Sequence, residues 1–447
     1  MPASTPRTTA SASRPSSPRP GRSSRAAEPA PEPRTPRSSR VTLPLSRIKV
    51  LDVSQIMAGP FCCMLLGDMG ADVIKVETPG IGDQTRKSMG FRLKGADSGG
   101  FLALNRNKRS VEIDLKNPAG LEAFYALVKD ADVLVENNRP GVAARLKIDY
   151  ATLREINPRL VYASISGFGQ TGPWAKRPGL DLIAQAMTGV MSVMGHPGQE
   201  PVKSSVPLAD LGAGLFAAYG ILSAVIGRGL TGEGQFVDAS LFETALGLSV
   251  WESAEYWGTG ELPVPIGSAN RMSAPYQAVR ASDRHFVVGA ANPKLWTALC
   301  GVIDRADLVQ DPRFTDNVLR IRNREVLIAE LEREFARRTA AEWVDALLAA
   351  GVPAAPIYNY AEALESEQAV ARNMVLKIQH PVEGETRALG FPVKLSGTPQ
   401  QVRHPAPLLG QHTDEILGEI GLTEGHIEAL RQAGAFGAAR AGAAVNA

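Results

Sequence analysis

Cysteine and histidine are scarce in this chain, with only three cysteines and six histidines among 447 residues. Cys62 and Cys63 are adjacent and Cys300 is distant, so no disulfide framework is expected. None of the histidines has the H-x-x-x-H or H-E-x-x-H spacing of a metal site, and no metal is predicted. The longest apolar runs are interrupted by Gly, Asp or Arg before the roughly 18 residues that span a bilayer, so no membrane helix is expected.

The chain also lacks a charge excess, because its formal net charge is only +2. Residues 1–40 carry eight arginines and two glutamates, so the rest is slightly acidic, which disfavours nucleic acid as a partner. The segment 1–43 is rich in Ser, Pro, Arg and Ala and is predicted to be a disordered tail. Its composition also fits a mitochondrial transit peptide. We expect a cytoplasmic protein, unless the tail is such a targeting signal.

The glycines of a dinucleotide site are missing from the first predicted turn. Residues 55–60 read Gln-Ile-Met-Ala-Gly-Pro instead of G-x-G-x-x-G, so a pyrophosphate cannot approach the helix closely. NAD and FAD are therefore disfavoured, although Glu77 stands where a ribose-binding acid would fall. The absence of a G-x-S-x-G motif likewise disfavours an α/β-hydrolase.

From Ile48 onward, short apolar strands alternate with helices, which predicts right-handed βαβ units and a parallel sheet. Strands are predicted at 48–53, 72–77, 110–115, 132–136, 160–166 and 235–238, and helices after Gly59-Pro60 and over 118–130, 180–194 and 211–228. The predicted fold class is α/β, with a Rossmann-like large domain and a smaller α+β domain. The predicted boundaries are 44–230 for the large domain, 231–275 for a linker helix and loop, 276–358 for the small domain, 359–434 for the return to the large domain and 435–447 for a frayed tail.

Three segments carry candidate chemistry. Asp210 directly precedes a small-residue helix, where it is either a plain cap or a nucleophile kept ionised by the helix N-terminus; in the second case, amides at 167–169 or Leu211 would stabilise an oxyanion. Residues 135–141, VENNRPG, form either a ligand-binding edge of the sheet or a plain turn. The basic run 104–110 fits a phosphate-rich ligand or, more commonly, a solvated charge run.

Several segments together resemble the family III CoA-transferases, the CaiB/BaiF family, over residues 49–433. They read VLDVSQIMAGPF, LLGDMGADVIKVETPGIGDQTR, LNRNKRSVEIDLK, VENNRPG, SISGFGQTGP, LADLGAGLFAAYGIL, TGEGQ and PLLGQHT. The segment SAPYQAV and the small-domain pattern are most similar to the succinyl-CoA:glutarate (hydroxymethylglutarate) CoA-transferase subgroup.

The resemblance implies an interlocked homodimer that uses an acyl-CoA thioester as substrate and no tightly bound cofactor. It implies transfer of CoA from succinyl-CoA or another dicarboxyl-CoA to a carboxylic acid through an aspartyl-CoA thioester on Asp210. The coenzyme A contacts that it implies are Asn137, Asn138, Arg139, Arg145, Ile113, Lys116 and Asp181, the last of which begins a predicted helix and is equally a candidate cap.

Three positions depart from the patterns of relatives with other activities. Met57 stands where formyl-CoA transferases have Gln, and residues 267–270 replace their glycine-rich lid, so formyl and oxalate specificity is not expected. Leu180 stands where the racemases of the family have a histidine, and α-proton exchange needs two opposed acid–base groups. Racemase activity is therefore not expected, and an acyl-CoA racemase or isomerase of the same family is only the alternative function. A non-enzymatic CoA-binding protein is a third possibility.

Overall fold

The computed structural model of the chain describes residues 42–437 except 89, 90, 92 and 96. Six strands form one parallel sheet: β1 (Lys49–Asp52), β2 (Asp72–Glu77), β3 (Lys108–Glu112), β4 (Val133–Glu136), β5 (Val161–Ser166) and β6 (Phe236–Ser240). Their order, β3-β2-β1-β4-β5-β6, is that of the Rossmann fold, and the predicted α/β class with a parallel sheet is confirmed. The order reverses between β1 and β4, and ligands bind beside such a switch point.

Helices connect and cover these strands. They are α1 (Ala58–Asp68), α2 (Thr85–Ser88), α3 (Gly99–Leu104), α4 (Pro118–Lys129), α5 (Val142–Arg145), α6 (Tyr150–Ile156), α7 (Asp181–Met187), α8 (Leu208–Thr231), α9 (Leu241–Leu248) and α10 (Val250–Thr259). The helix predicted over 180–194 is too long, because Gly189 has a φ of 83° and only a 3₁₀ turn, Val190–Ser192, follows it. The helix predicted over 211–228 is too short by three residues at each end.

The sheet is buried on both faces, since successive side chains of a strand point to opposite sides. Val50, Val73 and Val133 pack with the small residues of α1 and α8 on one face. Leu51, Ile74 and Leu134 belong to the core of the other face, which includes α4 and the C-terminal helices α18 (Thr413–Glu419) and α19 (Glu424–Gln432). The last helices that the structure describes thus pack against the sheet formed by residues 49–240.

The intervening residues build a separate apolar core over 274–352. Its antiparallel sheet has the order β7 (Tyr276–Arg280), β8 (His285–Gly289), β9 (Ala354–Pro356). The helices of this region are α11 (Pro293–Val302), α12 (Asp307–Gln310), α13 (Asn317–Arg322), α14 (Arg324–Phe335) and α15 (Ala340–Ala349); α16 (Tyr360–Glu365), α17 (Glu367–Ala371) and the hairpin of β10 (Val375–His380) and β11 (Gly384–Leu389) follow. The domain boundaries stay a prediction.

Both predicted tails are too long where the structure describes them. Residues 1–41 and 438–447 lie outside the described residues. Leu43, assigned to the disordered tail, is buried, and its side chain lies directly against Gly70. Ala435 and Phe436, assigned to the frayed end, are buried in the core beside α19.

Within the part of the chain that the structure describes, one helix is long and apolar enough to cross a membrane by length and composition. This helix is α8, which contacts α1, β5 and β6 in the fold. Core helices of water-soluble folds have the same length and composition, so the feature is weak evidence for a membrane span.

Candidate active site

Asp210 lies in the first turn of α8, but it does not cap the helix. The N-cap residue is Pro207, which offers no side-chain acceptor. The cap is supplied by Asp181 at the start of α7, whose Oδ1 accepts the N–H of Ala209 at 2.8 Å and the N–H of Asp210 at 3.3 Å. The capping interpretation of Asp210 is therefore wrong, and its carboxylate is free to have another role.

The carboxylate of Asp181 is held on its other side as well. Its Oδ2 accepts a hydrogen bond from Nε2 of Gln185 at 2.6 Å, and Gln185 is fully buried. Oε1 of Gln185 in turn accepts the N–H of Ser204 at 2.9 Å. Both oxygens of Asp181 are thus engaged within the protein, next to Asp210; its role as a coenzyme A contact stays a prediction.

The pKa of Asp210 is shifted in the direction opposite to the one expected from the helix N-terminus. Burial, together with the negative charge of Asp181, raises the pKa of Asp210 from 3.8 to about 6. The carboxylate is still ionised by about ten to one at pH 7. It is therefore available as a nucleophile at neutral pH, with a higher proton affinity than an exposed aspartate.

Two of the backbone amides expected to stabilise an oxyanion already have partners. The N–H of Gly169 donates to Oγ of Ser166 at 3.0 Å, and the N–H of Leu211 donates to the carbonyl of Pro207 at 3.0 Å. These two assignments are wrong, because an amide committed to a short intramolecular bond is not aimed at a substrate oxygen.

A pocket of about 190 Å³ opens at the carboxyl edge of the sheet, beside the switch point between β1 and β4. Its lining includes residues that follow four different strands: Ser54, Gln55, Thr78, Ile113, Asp114, Lys116 and Asn138. Three of the predicted coenzyme A contacts, Ile113, Lys116 and Asn138, are brought together here. Ile113 is buried in the wall, whereas Lys116 is exposed at the rim.

Asn137 has a structural task beside this pocket. Its Oδ1 accepts the N–H of Gln55 at 2.8 Å, and its Nδ2 donates to the carbonyl of Gln55 at 2.7 Å. The next residue, Ile56, has a φ of 72°, which is unusual for a β-branched residue. Its N–H donates to Oδ1 of Asp83 at 3.2 Å. Asn137 and Asp83 thus hold the loop after β1 from two sides.

The remaining predicted contacts, Arg139 and Arg145, are exposed on the segment that follows β4. Arg145 ends α5, and Arg139 lies in the turn before it. With Lys116 they place three exposed cations on segments that follow β3 and β4. Such groups suit phosphate oxygens, to which arginine binds through two parallel N–H donors.

Comparisons with known proteins agree with the motifs. A family model described as CoA-transferase family III matches residues 45–413. The chain belongs to CoA-transferase family III. The predicted family and the predicted enzyme class, a CoA-transferase, are confirmed.

Individual relatives match most of this transferase. It is 41% identical over 387 residues to an acyl-CoA transferase of Fusarium pseudograminearum, covering 85% of each chain. It is 36% identical over 388 residues to the succinyl-CoA:glutarate CoA-transferase of Mus musculus, covering 87% of this chain and 89% of that one. A crystal structure of a CaiB/BaiF family protein from Brucella suis has a TM-score of 0.76 and 36% identity, covering 85% of this chain and all of that one.

Sequence reasoning missed a buried charge network under the pocket. Lys75, in the middle of β2, lies 2.9 Å from Oδ2 of Asp83 and 3.7 Å from Oδ2 of Asp52. Lys108 lies 2.8 Å from the same oxygen of Asp52. Burial alone would raise the pKa of Asp52, but the two ammonium groups lower it to about 2. The feature of the sequence that could have revealed this network is a charged residue, Lys75, between the apolar residues of a buried strand.

The basic run 104–110 is not a solvated charge run. Arg106 is buried and pairs with Asp68 at 2.6 Å, and Lys108 belongs to the network under the pocket. Arg109 pairs with Asp72 at 2.7 Å and with Glu419 of α18 at 2.8 Å. These cations join strands and helices within the transferase and are not directed at a phosphate.

Two further site features concern the alternatives. Leu180, the residue before Asp181, is exposed, and its side chain has no acid–base group. Among residues 42–437 as described, no group of three or more His, Cys, Asp and Glu side chains is placed to hold a metal ion.

Proposed function

We propose that this transferase moves CoA between carboxylic acids through a thioester on Asp210, with succinyl-CoA or another dicarboxyl-CoA as donor. The observation that carries the proposal is the position of Asp210: its carboxylate makes no capping bond, and the helix start is held by Asp181 instead. An ionised carboxylate at such a place is a suitable nucleophile for covalent catalysis.

In the proposed sequence, Asp210 attacks the carbonyl carbon of the donor thioester. The C–S bond breaks, which leaves a mixed anhydride and the CoA thiolate. The thiolate attacks the aspartyl carbonyl, forms the aspartyl-CoA thioester and releases the donor acid as its carboxylate. The acceptor carboxylate repeats these two steps in reverse order, so that Asp210 is regenerated and no net proton is consumed. Each difficult exchange is split into easier ones.

We propose that coenzyme A lies along the carboxyl edge of the sheet. The pocket beside the switch point supports this placement, because Ile113, Lys116 and Asn138 line it. The exposed side chains of Arg139 and Arg145 would meet phosphate oxygens, and Asn137 would position the loop after β1 through its two bonds to Gln55. The similarity to a succinyl-CoA:glutarate CoA-transferase supports a dicarboxylate as the substrate class.

We further propose that two chains form an interlocked homodimer. Large apolar side chains on α8 and α10 are exposed in the single chain, among them Leu230 at 90% and Trp257 at 79%. Monomeric proteins rarely expose contiguous apolar surface of this kind, so a second copy is the expected cover.

Trapping the intermediate tests the nucleophile. The protein is incubated with succinyl-CoA and treated with borohydride or hydroxylamine, and its peptides are analysed by mass spectrometry. Modification at Asp210 is expected in the wild type and in the control Asp345→Asn, which changes an exposed acid of α15, but not in Asp210→Asn. An adduct on any other residue would overturn the assignment.

The same preparations separate the transferase from a racemase. The wild type is given a 2-methylacyl-CoA in deuterated water without a carboxylate acceptor. Because Leu180 offers no second acid–base group, no deuterium is expected at the α-carbon. Incorporation at a rate comparable to transfer would favour the racemase.

A further inference from the structure

Ile56, in the loop after β1, has a backbone conformation that its side chain disfavours. Among the described residues, five that are not glycine have a positive φ, and Ile56, at 72°, is the only β-branched one. A β-branched side chain is crowded against the backbone in this left-handed region, so the conformation persists only where the surroundings impose it. Strained residues of this kind cluster at functional sites. The groups that hold Ile56 are therefore candidates for a functional role.

Asp83 is the group that holds the amide of Ile56. Its Oδ1 accepts the N–H of Ile56 at 3.2 Å, together with the N–H and the hydroxyl group of Thr85 at 2.9 and 2.8 Å. Its Oδ2 forms an ion pair with Nζ of Lys75 at 2.9 Å, and the same Nζ donates to the carbonyl oxygen of Ser54 at 2.9 Å. The side chains of Asp83 and Lys75 are both fully buried. Asp83 thus ties the strained loop to the middle of β2.

The carboxylate of Asp83 is ionised at neutral pH. Burial alone would raise its pKa, but the ammonium group of Lys75 and the bonds from Thr85 lower the pKa below its usual value. A hydrogen bond from a backbone N–H to an ionised carboxylate is stronger than one to a neutral acceptor. Without this acceptor, the loop is expected to relax towards a negative φ at Ile56.

The loop that Asp83 holds lies beside the helix of the nucleophile. A Cβ atom on Gly214 of α8 would lie 2.6 Å from the carbonyl oxygen of Ala58, so α8 touches the start of α1 at this glycine. Both helices lead into strands of one parallel sheet and therefore begin at its carboxyl edge. Asp210 precedes Gly214 by about one turn, on the same face of α8. It therefore lies next to the residues that come just before Ala58, which are residues 55–57.

We propose that Asp83 is a positioning residue for the transfer reaction: it holds Ile56 in the left-handed conformation and thereby fixes residues 55–57 beside Asp210. This inference rests on the proposed function and adds a residue that acts through the backbone of the loop. A displacement of about 1 Å near a reacting group can cost as much as about a hundredfold in rate. A change at Asp83 should therefore act on kcat more than on KM.

Steady-state kinetics of the full-length protein test this role. Asp83→Ala removes the acceptor and should lower kcat by about tenfold or more, with KM for succinyl-CoA changed by less than about threefold. Ile56→Gly should have little effect by itself, because glycine adopts a positive φ readily. In the double variant, Ile56→Gly should restore most of the kcat that Asp83→Ala loses, because the loop no longer has to be held against strain.

A matched control separates this role from a general loss of stability. Asp68 is another buried acid, but it lies at the opposite end of α1, where it pairs with Arg106 at 2.6 Å. Asp68→Ala should leave kcat unchanged. If Asp83→Ala does not fold, Asp83→Asn takes its place; it keeps an oxygen for Ile56 but loses the charge, so a smaller loss of kcat with the same rescue by Ile56→Gly is expected.

Hydrogen exchange gives a readout that does not need activity. The amides of the peptide that contains residues 55–58 should exchange faster in Asp83→Ala than in the wild type, and Asp68→Ala should not change their exchange. If the wild type shows no transfer activity, the proposed function fails, whereas faster exchange of this peptide in Asp83→Ala would still show that Asp83 holds the loop.

Three results would contradict the proposal. Absence of rescue by Ile56→Gly would show that the loss comes from the unpaired charge of Lys75 and not from the loop. A higher KM or a weaker affinity for free CoA, with kcat unchanged, would make Asp83 a part of the coenzyme A pocket that it lines. Equal losses of kcat in Asp83→Ala and Asp68→Ala would indicate general destabilisation.

Discussion

Asp181 and Asp210 both lie at the N-terminus of α8, but their carboxylates have different surroundings. Asp181 uses both oxygens on neighbouring groups, the amides of α8 and the side chain of Gln185. The carboxylate of Asp210 has no such bonds to the residues that the structure describes, and burial beside a second carboxylate raises its pKa to about 6. The prominence of Asp210 in the motif LAD was visible in the sequence. The sequence did not show that Asp181 caps α8, because the amides that it caps lie 28 and 29 residues further along the chain.

The first prediction concerns the charge of Asp181. Asp181→Asn keeps an oxygen that accepts the two amides but removes the negative charge beside Asp210. The pKa of Asp210 should therefore fall. The acid limb of kcat/KM against pH, which we expect near pH 6 in the wild type, should move to lower pH. Asp181→Ala, which also loses the cap, should in addition destabilise the protein by about 1 kcal/mol. An acid limb that does not move in Asp181→Asn would contradict this account.

The second prediction concerns the stability that the folded protein loses when Asp210 ionises. Its carboxyl group holds a proton up to about pH 6 in the folded protein but releases it near 3.8 when unfolded. The folded state therefore loses stability as pH rises through this window, by up to about 3 kcal/mol. Asp210→Asn should raise the free energy of unfolding at pH 7.5 by about 1–3 kcal/mol, with a smaller gain near pH 4. Urea denaturation at the two pH values measures both. An equal gain at the two values would point to a cause other than ionisation.

At the scale of elements, β2 was predicted with its observed bounds, Asp72–Glu77, because three β-branched residues, Val73, Ile74 and Val76, fall within six positions. The strand β3 begins two residues before the predicted start. Lys108 and Arg109 pair in register with Val73 and Ile74, so charged residues form part of a buried strand. Two of the acids that neutralise them, Asp52 and Glu419, lie 56 and 310 residues away in the chain, and local patterns carry no information about them.

The third prediction concerns the charges that join these strands. Lys75 of β2 is fully buried between Asp52 of β1 and Asp83, so Lys75→Met leaves carboxylates without a full counter-charge. Removing one partner of a buried pair costs about 3–5 kcal/mol, and a loss of this order is expected in the free energy of unfolding. Lys116→Met, at the exposed rim of the same pocket, should change stability by less than about 0.5 kcal/mol. Equal losses in the two variants would show that burial of the pair is not the cause.

At the scale of the whole molecule, the described chain leaves an apolar surface open. Tyr219, Ile226 and Leu230 of α8 are exposed, as are Trp251 and Trp257 of α10. Amphipathic patterning of α8 could not predict this surface, because the helix is apolar nearly all round and its buried side is made of small residues such as Ala213 and Ala217. Only the packed fold distinguishes the side that faces the sheet from the side that remains uncovered.

The last prediction separates an interlocked dimer from one that is merely docked. Two preparations of the transferase, each with a different affinity tag, are mixed at micromolar concentration and examined by tandem purification. Docked dimers dissociate and exchange subunits, whereas interlocked chains separate only when one of them unfolds. We therefore expect no mixed dimers after days at 25 °C, because unfolding of stable domains is slow. Mixed dimers should form after joint denaturation and refolding, which is the positive control. Exchange within minutes under native conditions would show that the chains are docked and not interlocked, and a monomer at all concentrations would leave the apolar surface of α8 and α10 to another partner.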